Sequence, residues 1–311
     1  MSEQNIITTA NDDPLHEKAP GFLNKIYSAL HSLLLQSPSA FIGATILVFI
    51  ILSCFAVPEL LGQDGETTDL LNAFAPPVWQ ADGSWAAPLG TDNLGRDVLS
   101  RILIGGRISI TVALCAVSVA LSIGLTLGVI SGYFGGWIDN FIMRIGDLFL
   151  AYPFMLLTIS VIALLGPSLT NLIIILALAD WVTYARTVRS SVISVRSKEY
   201  IRAAEAIGTR DRTIIRRHIL PNILAPILVL ATVRAANYII WESGLSFLGM
   251  GVPPPTPTWG IMLAEGRNYI LNAWWLVTLP GLAIMFTILS VNLLGDGLRD
   301  AMDPRLKRNG K

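Results

Sequence analysis

At 311 residues, 53% hydrophobic and only 14% charged, with a mean hydropathy of +0.59, the chain is too apolar for a water-soluble globule of ordinary make-up. The solvent this composition implies is a bilayer. A formal net charge of zero excludes no class of partner by itself, so the placement of charge along the chain has to be read instead.

Residues 1–37 are polar and mixed in charge and read as a tail. Crossing about 30 Å of hydrocarbon takes a helix of about 20 mostly apolar residues, and six stretches qualify. They run from Ala40 to Val57, Ile108 to Ser131, Leu148 to Leu165, Leu172 to Thr187, Ile223 to Trp241 and Trp274 to Leu294. The first is too long for a signal-peptide core and no small-residue cleavage pattern follows it, so it is expected to stay attached. The fourth is interrupted by Asp180, and the fifth by Arg234 and Asn237. Strands are excluded as spanning elements because an unpaired sheet edge has no hydrogen-bond partners in lipid. Cys54 and Cys115 both lie in apolar runs, where a thiol behaves as a small hydrophobe, and no disulfide is expected.

Sidedness follows from Lys and Arg, which accumulate in cytoplasmic loops. The stretch from Arg186 to Arg217 and the tail from Arg299 to Lys311 are rich in both. That side is expected to be the cytoplasm, and with six spans both termini share it. The opposite side receives Pro58 to Arg107 and Ser243 to Ala273, in or beside which Trp79, Trp85, Trp259, Trp274 and Trp275 read as interfacial anchors. Within these outer segments Pro88 to Ser109 alternates turn residues with a short amphipathic run. Gly249 to Gly260 is too rich in proline for helix or paired strand and reads as a stiff connector.

The densest charge lies in EYIRAAEAIGTRDRTIIRRHILPN, Glu199 to Asn222. Ala203, Ala204 and Ala206 favour a short helix that Gly208 ends. Thr209 is expected to cap a second helix with Asp211 in its first turn, and Pro221 to open the fifth span. Small side chains ringed by arginines suit docking by a soluble partner; an amphipathic segment on anionic headgroups is the alternative.

This stretch resembles the cytoplasmic loop of binding-protein-dependent ABC importer permeases, in which Glu-Ala-Ala is followed at fixed spacing by Gly and then by Ile-x-Leu-Pro. Ala203, Ala204, Gly208, Leu220 and Pro221 match in register; Arg202 and His218 depart from the pattern. The segments LGTDNLGRDVLSRILIGGRISI (Leu89 to Ile110), GYFGGWIDNFIMRIGDLFLAYP (Gly132 to Pro153), LSFLGMGVPPPTPTWG (Leu245 to Gly260) and NLLGDGLRDAMDPR (Asn292 to Arg305) extend the resemblance over nearly everything after residue 38. Together they are similar to the C-type membrane subunits of dipeptide, oligopeptide and nickel importers, most of all to the dipeptide branch. The resemblance implies an all-α polytopic protein of six transmembrane helices with the type I ABC importer permease fold. Its organisation would be a cytoplasmic tail at 1–37, a first helix and outer loop at 38–106, a five-helix core at 107–299 holding a coupling loop at 188–221, and a cytoplasmic tail at 300–311. It further implies a bacterial inner-membrane location, a second permease subunit, two cytoplasmic ATPases that bind ATP and Mg, a binding protein that delivers substrate, and surrounding membrane lipid. Arg202, Ala203, Ala204, Glu205, Gly208, Leu220 and Pro221 would couple to the ATPase. Nickel chelates or haem are the alternative cargoes.

No G-x-x-x-x-G-K-[ST] loop occurs, so ATP chemistry must come from a partner, and neither an enzymatic activity, a cofactor of its own nor a nucleic-acid partner is expected. His16, His31 and His218 are scattered, and Asp296, Asp300 and Asp303 read as a solvated helix end with Arg299 and Pro304 rather than a cation site. A secondary transporter would need intramembrane carboxylates, which Asp180 keeps open, but the halves show no internal repeat. Asp180 and Arg234 each count to roughly mid-membrane at about 1.5 Å per residue. Either they pair with one another or they border a hydrated path together with Asn237 and Glu242.

Overall fold

The computed structural model describes residues 38–62 and 64–302. The expectations for the tail at 1–37, His16, His31, Asp303, Pro304 and the basic residues beyond fall outside these. Among the described residues the regular structure is helical: α1 (Pro38–Leu61), α2 (Val98–Phe134), α3 (Gly136–Ala151), α4 (Phe154–Leu165), α5 (Leu169–Arg196), α6 (Glu199–Ala206), α7 (Asp211–Ile214), α8 (Leu220–Phe247), α9 (Trp259–Gly266) and α10 (Trp275–Met302). Five spans are unbroken, on α1, α2, α5, the rod from Asp211 to Phe247, and α10; the bent pair α3–α4, taken as one broken span, makes six.

That pair corrects the expected third span at Leu148 to Leu165. Pro153 disfavours helical geometry at the residue before it, and Tyr152 is extended with ψ 133°, so the axis turns by 87°. The twelve residues of α4 reach only about 18 Å, too short to cross alone. The second span also starts earlier than expected, at Val98, where the Asp97 side chain accepts from the Ser100 N–H. The boundary expected at 106/107 therefore falls inside α2, and the one at 299/300 in the last turn of α10. Thr111, Ser118, Ser122 and Thr126 each donate to the carbonyl four residues back, which satisfies their hydroxyls inside an apolar helix.

The centre of the fold is the contact between α2 and α5. Gly124, Gly128 and Gly132 recur every fourth residue on α2 and face Tyr184, Val188 and Val192 of α5, where an added Cβ would lie 2.3 to 2.9 Å from the facing Cβ atoms. Only hydrogen fits there, so the two backbones approach closely and gain dispersion contact along their length, the chief source of helix association in lipid. Around this pair, α8 packs on α2, α5 and α10, while α1 leans on α2 and α10. The outer face of α1, with Phe41, Val48, Phe49 and Leu52 exposed, is the surface a bilayer would wet.

Candidate coupling and translocation sites

The charged stretch folds into α6 followed by the start of the α7–α8 rod. Glu199 lies in the first turn of α6, where a carboxylate meets the positive end of the helix dipole. Ile201 is the anchor: fully buried, it joins a cluster with Ile214, Ile219, Ile223, Val188 and Val192. The opposite face, with Arg202, Ala203, Glu205 and Ala206, is exposed, and Ala204 is half-buried. The helix closes in a Schellman motif, the Gly208 N–H donating to the Glu205 carbonyl at 3.0 Å and the Thr209 N–H to that of Ala204 at 3.1 Å. Gly208 has φ +76°, and a Cβ there would meet nothing within 4 Å, so the glycine is demanded by the left-handed turn and not by a close neighbour. Ile207 projects from this turn 82% exposed, an apolar side chain that reasoning from the alanines and arginines passed over.

Two local expectations are corrected. Arg210, not Thr209, occupies the cap of the next helix, with no side-chain cap bond. Pro221 does not open the fifth span, because the helix already runs from Asp211 through a π turn at Ile215–Ile219. Proline cannot donate to the preceding turn and its ring crowds the carbonyl four residues back. The wider π turn lies directly before it, with the Leu220 N–H reaching the Ile215 carbonyl, so the rod continues. Leu220 is half-buried and Pro221 exposed.

Inside the membrane, Asp180 on α5 and Arg234 on α8 are brought together, Arg234 Nη1 lying 3.4 Å from Asp180 Oδ1. Thr183 Oγ1 donates to the same oxygen at 2.8 Å. Asp180 Oδ2 and the hydroxyls of Tyr184 and Tyr238, one helical turn beyond Asp180 and Arg234 respectively, are shielded and make no hydrogen bond of normal geometry. The other two residues expected to border the path do not join this cluster through any hydrogen bond or ion pair. Asn237 is half-buried on its own turn of α8, and Glu242, fully buried, accepts from Ser246 Oγ at 2.7 Å and Ser243 Oγ at 3.4 Å. Eight residues separate Glu242 from Arg234, about 12 Å along the helix.

The end of the bundle opposite α6 holds a site that the sequence reading missed. Arg101, 1% exposed, donates through Nη2 to Glu265 Oε2 at 2.8 Å and lies 3.4 Å from Asp92 Oδ2; Arg96 binds the same two carboxylates at 2.6 and 3.1 Å. This clasp fastens the 88–97 turn and α2 to α9. Trp259 and Trp275, expected as interfacial anchors, are instead buried, donating from Nε1 to the carbonyls of Ile102 at 2.9 Å and Thr91 at 3.2 Å. Trp79 and Trp85 are exposed. The proline-rich connector, which includes a cis Pro254–Pro255 bond, folds back on α8 so that Gly251 and Gly260 lie against Ser246 and Ser243.

A polytopic helical bundle with short helices set beyond its spans and buried charge between them is an integral membrane protein built around charged side chains. A family model described as binding-protein-dependent transport system inner membrane component matches residues 124–308, and the chain belongs to that family. The dipeptide transport system permease protein DppC of Escherichia coli (strain K12) is 48% identical over 234 residues, which cover 75% of this chain and 78% of the relative. DppC of Alkalihalophilus pseudofirmus is 43% identical over 268 residues, 86% of each chain. Among solved structures, the inward-facing MetNI methionine ABC transporter superposes with a TM-score of 0.55 at 17% identity, over 65% of this chain and 97% of that one, a likeness of fold.

Proposed function

We propose that this chain is the permease subunit of an ATP-driven peptide importer, forming one half of a path for di- or oligopeptides. The similarity to dipeptide permeases over most of the chain supports the substrate class. The observation that carries the mechanism is α6: a short helix pinned by one buried isoleucine, presenting small side chains and Ile207 outward. In this reading α6 and both termini face the cytoplasm, and α6 seats in a groove of an ATPase that binds ATP and Mg. A second permease completes the path, a binding protein supplies substrate on the Trp79 side, and the chain itself performs no catalysis and carries no cofactor. Arg202, Ala203, Ala204, Glu205 and Gly208 form the seat, while Leu220 and Pro221 fix the rod behind it.

Replacing Ala204 with Trp is expected to abolish both co-purification of the ATPase subunits and ATP-dependent dipeptide uptake, with normal insertion of the permease. ATPases retained in normal amount by that variant would remove α6 from the interface, and with it the cytoplasmic placement.

Asp180 and Arg234 are assigned to holding α5 against α8, because removing one member of a buried ion pair strands the other. Either single change, Asp180→Arg or Arg234→Asp, is expected to lose folded protein, and the charge swap to restore assembly and uptake together. Restored assembly without uptake would instead assign the pair to the path.

A further inference from the structure

The inner and outer sites described above are joined by one element. α2 runs unbroken over 37 residues, about 55 Å, and carries Arg101 of the clasp near one end and Tyr133, beside the coupling stretch, near the other. Its inner end is held by an arrangement outside the family motif. Tyr133 is 3% exposed, and its hydroxyl donates to Asp211 Oδ1 at 2.7 Å, at the first residue of the α7–α8 rod. The Arg196 guanidinium, from the last residue of α5, lies 4.9 Å from the centroid of the Tyr133 ring, and its Nη1 donates to the Tyr133 carbonyl. Its Nε also reaches Glu205 Oε1 on α6 at 3.3 Å. One tyrosine therefore meets groups tied to every element of the coupling stretch. An arginine over an aromatic face adds attraction that persists where water is partly excluded.

The rest of α2 gives no slack between its ends. The glycine stripe sets it against α5 without room for a methyl group. At the outer end Arg101 holds Glu265, the Ile102 carbonyl accepts from Trp259, and Gly106 lies 2.5 Å, measured from an added Cβ, beneath the Trp259 ring. A close-packed helix fixed at both ends transmits displacement as a body, since packed interiors deform little.

We propose that Tyr133, with Arg196 and Asp211, is the positioning device that makes α6 and α2 move together, so that movement of α6 on its partner reaches the outer clasp at Arg101 and Glu265 along α2. The proposal rests on the importer reading above for its driving force, but the mechanical tie is a property of this chain. It differs from docking: Tyr133 is buried behind α6, so it alters how far a displacement travels and not whether the partner binds.

The test uses the assembled complex of both permeases, ATPases and binding protein in liposomes, with a dipeptide as probe. Tyr133→Phe removes the donor and keeps the ring, Asp211→Ala removes the acceptor, and Asp211→Asn retains an acceptor oxygen. Tyr133→Phe and Asp211→Ala are each expected to lower peptide taken up per ATP hydrolysed by about three-fold or more, in the range by which non-contacting residues alter coupling. Their combination should fall no further than either alone, because both delete one bond. Asp211→Asn should stay near wild type, and all variants should retain their ATPases. In the same samples, amides of 199–208 should exchange faster in Tyr133→Phe while those of 259–266 do not change. An unchanged uptake-to-ATP ratio with unchanged exchange, additive losses in the double variant, or loss of the ATPases would each overturn the proposal. A wild-type complex without ATP-dependent uptake would refute the importer reading instead, and the exchange comparison would still decide the tie.

Discussion

At the N-terminal end of α2, Asp92, Arg96, Arg101 and Glu265 gather into a clasp in which three of the four side chains are almost sealed from solvent. At the C-terminal end of α2, α6 leaves Arg202 and Glu205 exposed and is held down by Ile201. The difference teaches what each end is for. Desolvated charges are stable only when every one is answered, so the outer network specifies a single arrangement of the turn, α2 and α9. Exposed charges around a small apolar seat leave the surface open to another molecule and contribute little to the fold. One end is closed on itself, the other is offered.

The comparison breaks most readily at Arg101. Arg101→Ala leaves Asp92 and Glu265 with Arg96 as their remaining cation and removes the most deeply buried guanidinium of the clasp, and is expected to destabilise the permease by about 3 kcal/mol, the upper range for hydrogen bonds to charged groups. Thermal unfolding of the purified protein in detergent measures this; an unchanged midpoint would mean that the clasp is ornament. Ile201→Ala tests the inner anchor. The truncation of a fully buried isoleucine costs about 2–5 kcal/mol in a rigid core. Here the effect is expected at the low end and confined to α6, because the cavity opens beneath a short surface helix that can relax; hydrogen exchange should rise across 199–208 and not across 259–266. Spread of the change to the outer segment would erase the distinction between the two ends. The smallest effect on the fold is expected from Ala203→Trp, the exposed neighbour of Ala204 on α6, within about 0.5 kcal/mol by the same melting assay, as for substitutions on an open surface. That near-neutrality beside a lost ATPase would sharpen the contrast, since it separates a surface made for a partner from a surface made for the chain.

Much of this was legible in residue order. The apolar runs located the spans because a helix in lipid needs length and apolarity, both local properties. The alanine cluster and Gly208 located α6 and its end for similar reasons: propensity and a left-handed turn are decided within a few residues. The glycines at 124, 128 and 132 are equally visible at a spacing of four, a signal from which the α2–α5 contact can be read. The break at Pro153 was visible too, yet the hydrophobic run across it outweighed the proline. Thr209 as a cap failed because Arg210 took the extended position that a cap requires. The continuity through Pro221 failed to show because a π turn has no pattern in composition.

What the sequence by itself determined, then, is the solvent, the helical class with five of its apolar spans, and the place of the exposed α6 surface, all of which follow from local apolarity, helix propensity and the spacing of small residues. Only the tertiary structure decided which charges answer one another. Arg101 finds Glu265 across 164 residues of chain and Tyr133 finds Asp211 across 78, and Asp180 meets Arg234 only because α5 and α8 lie side by side. Nothing local selects such partners: a buried charge must be paired, but which opposite group comes within about 4 Å is fixed by how whole helices pack, and that packing is set by every contact along them at once.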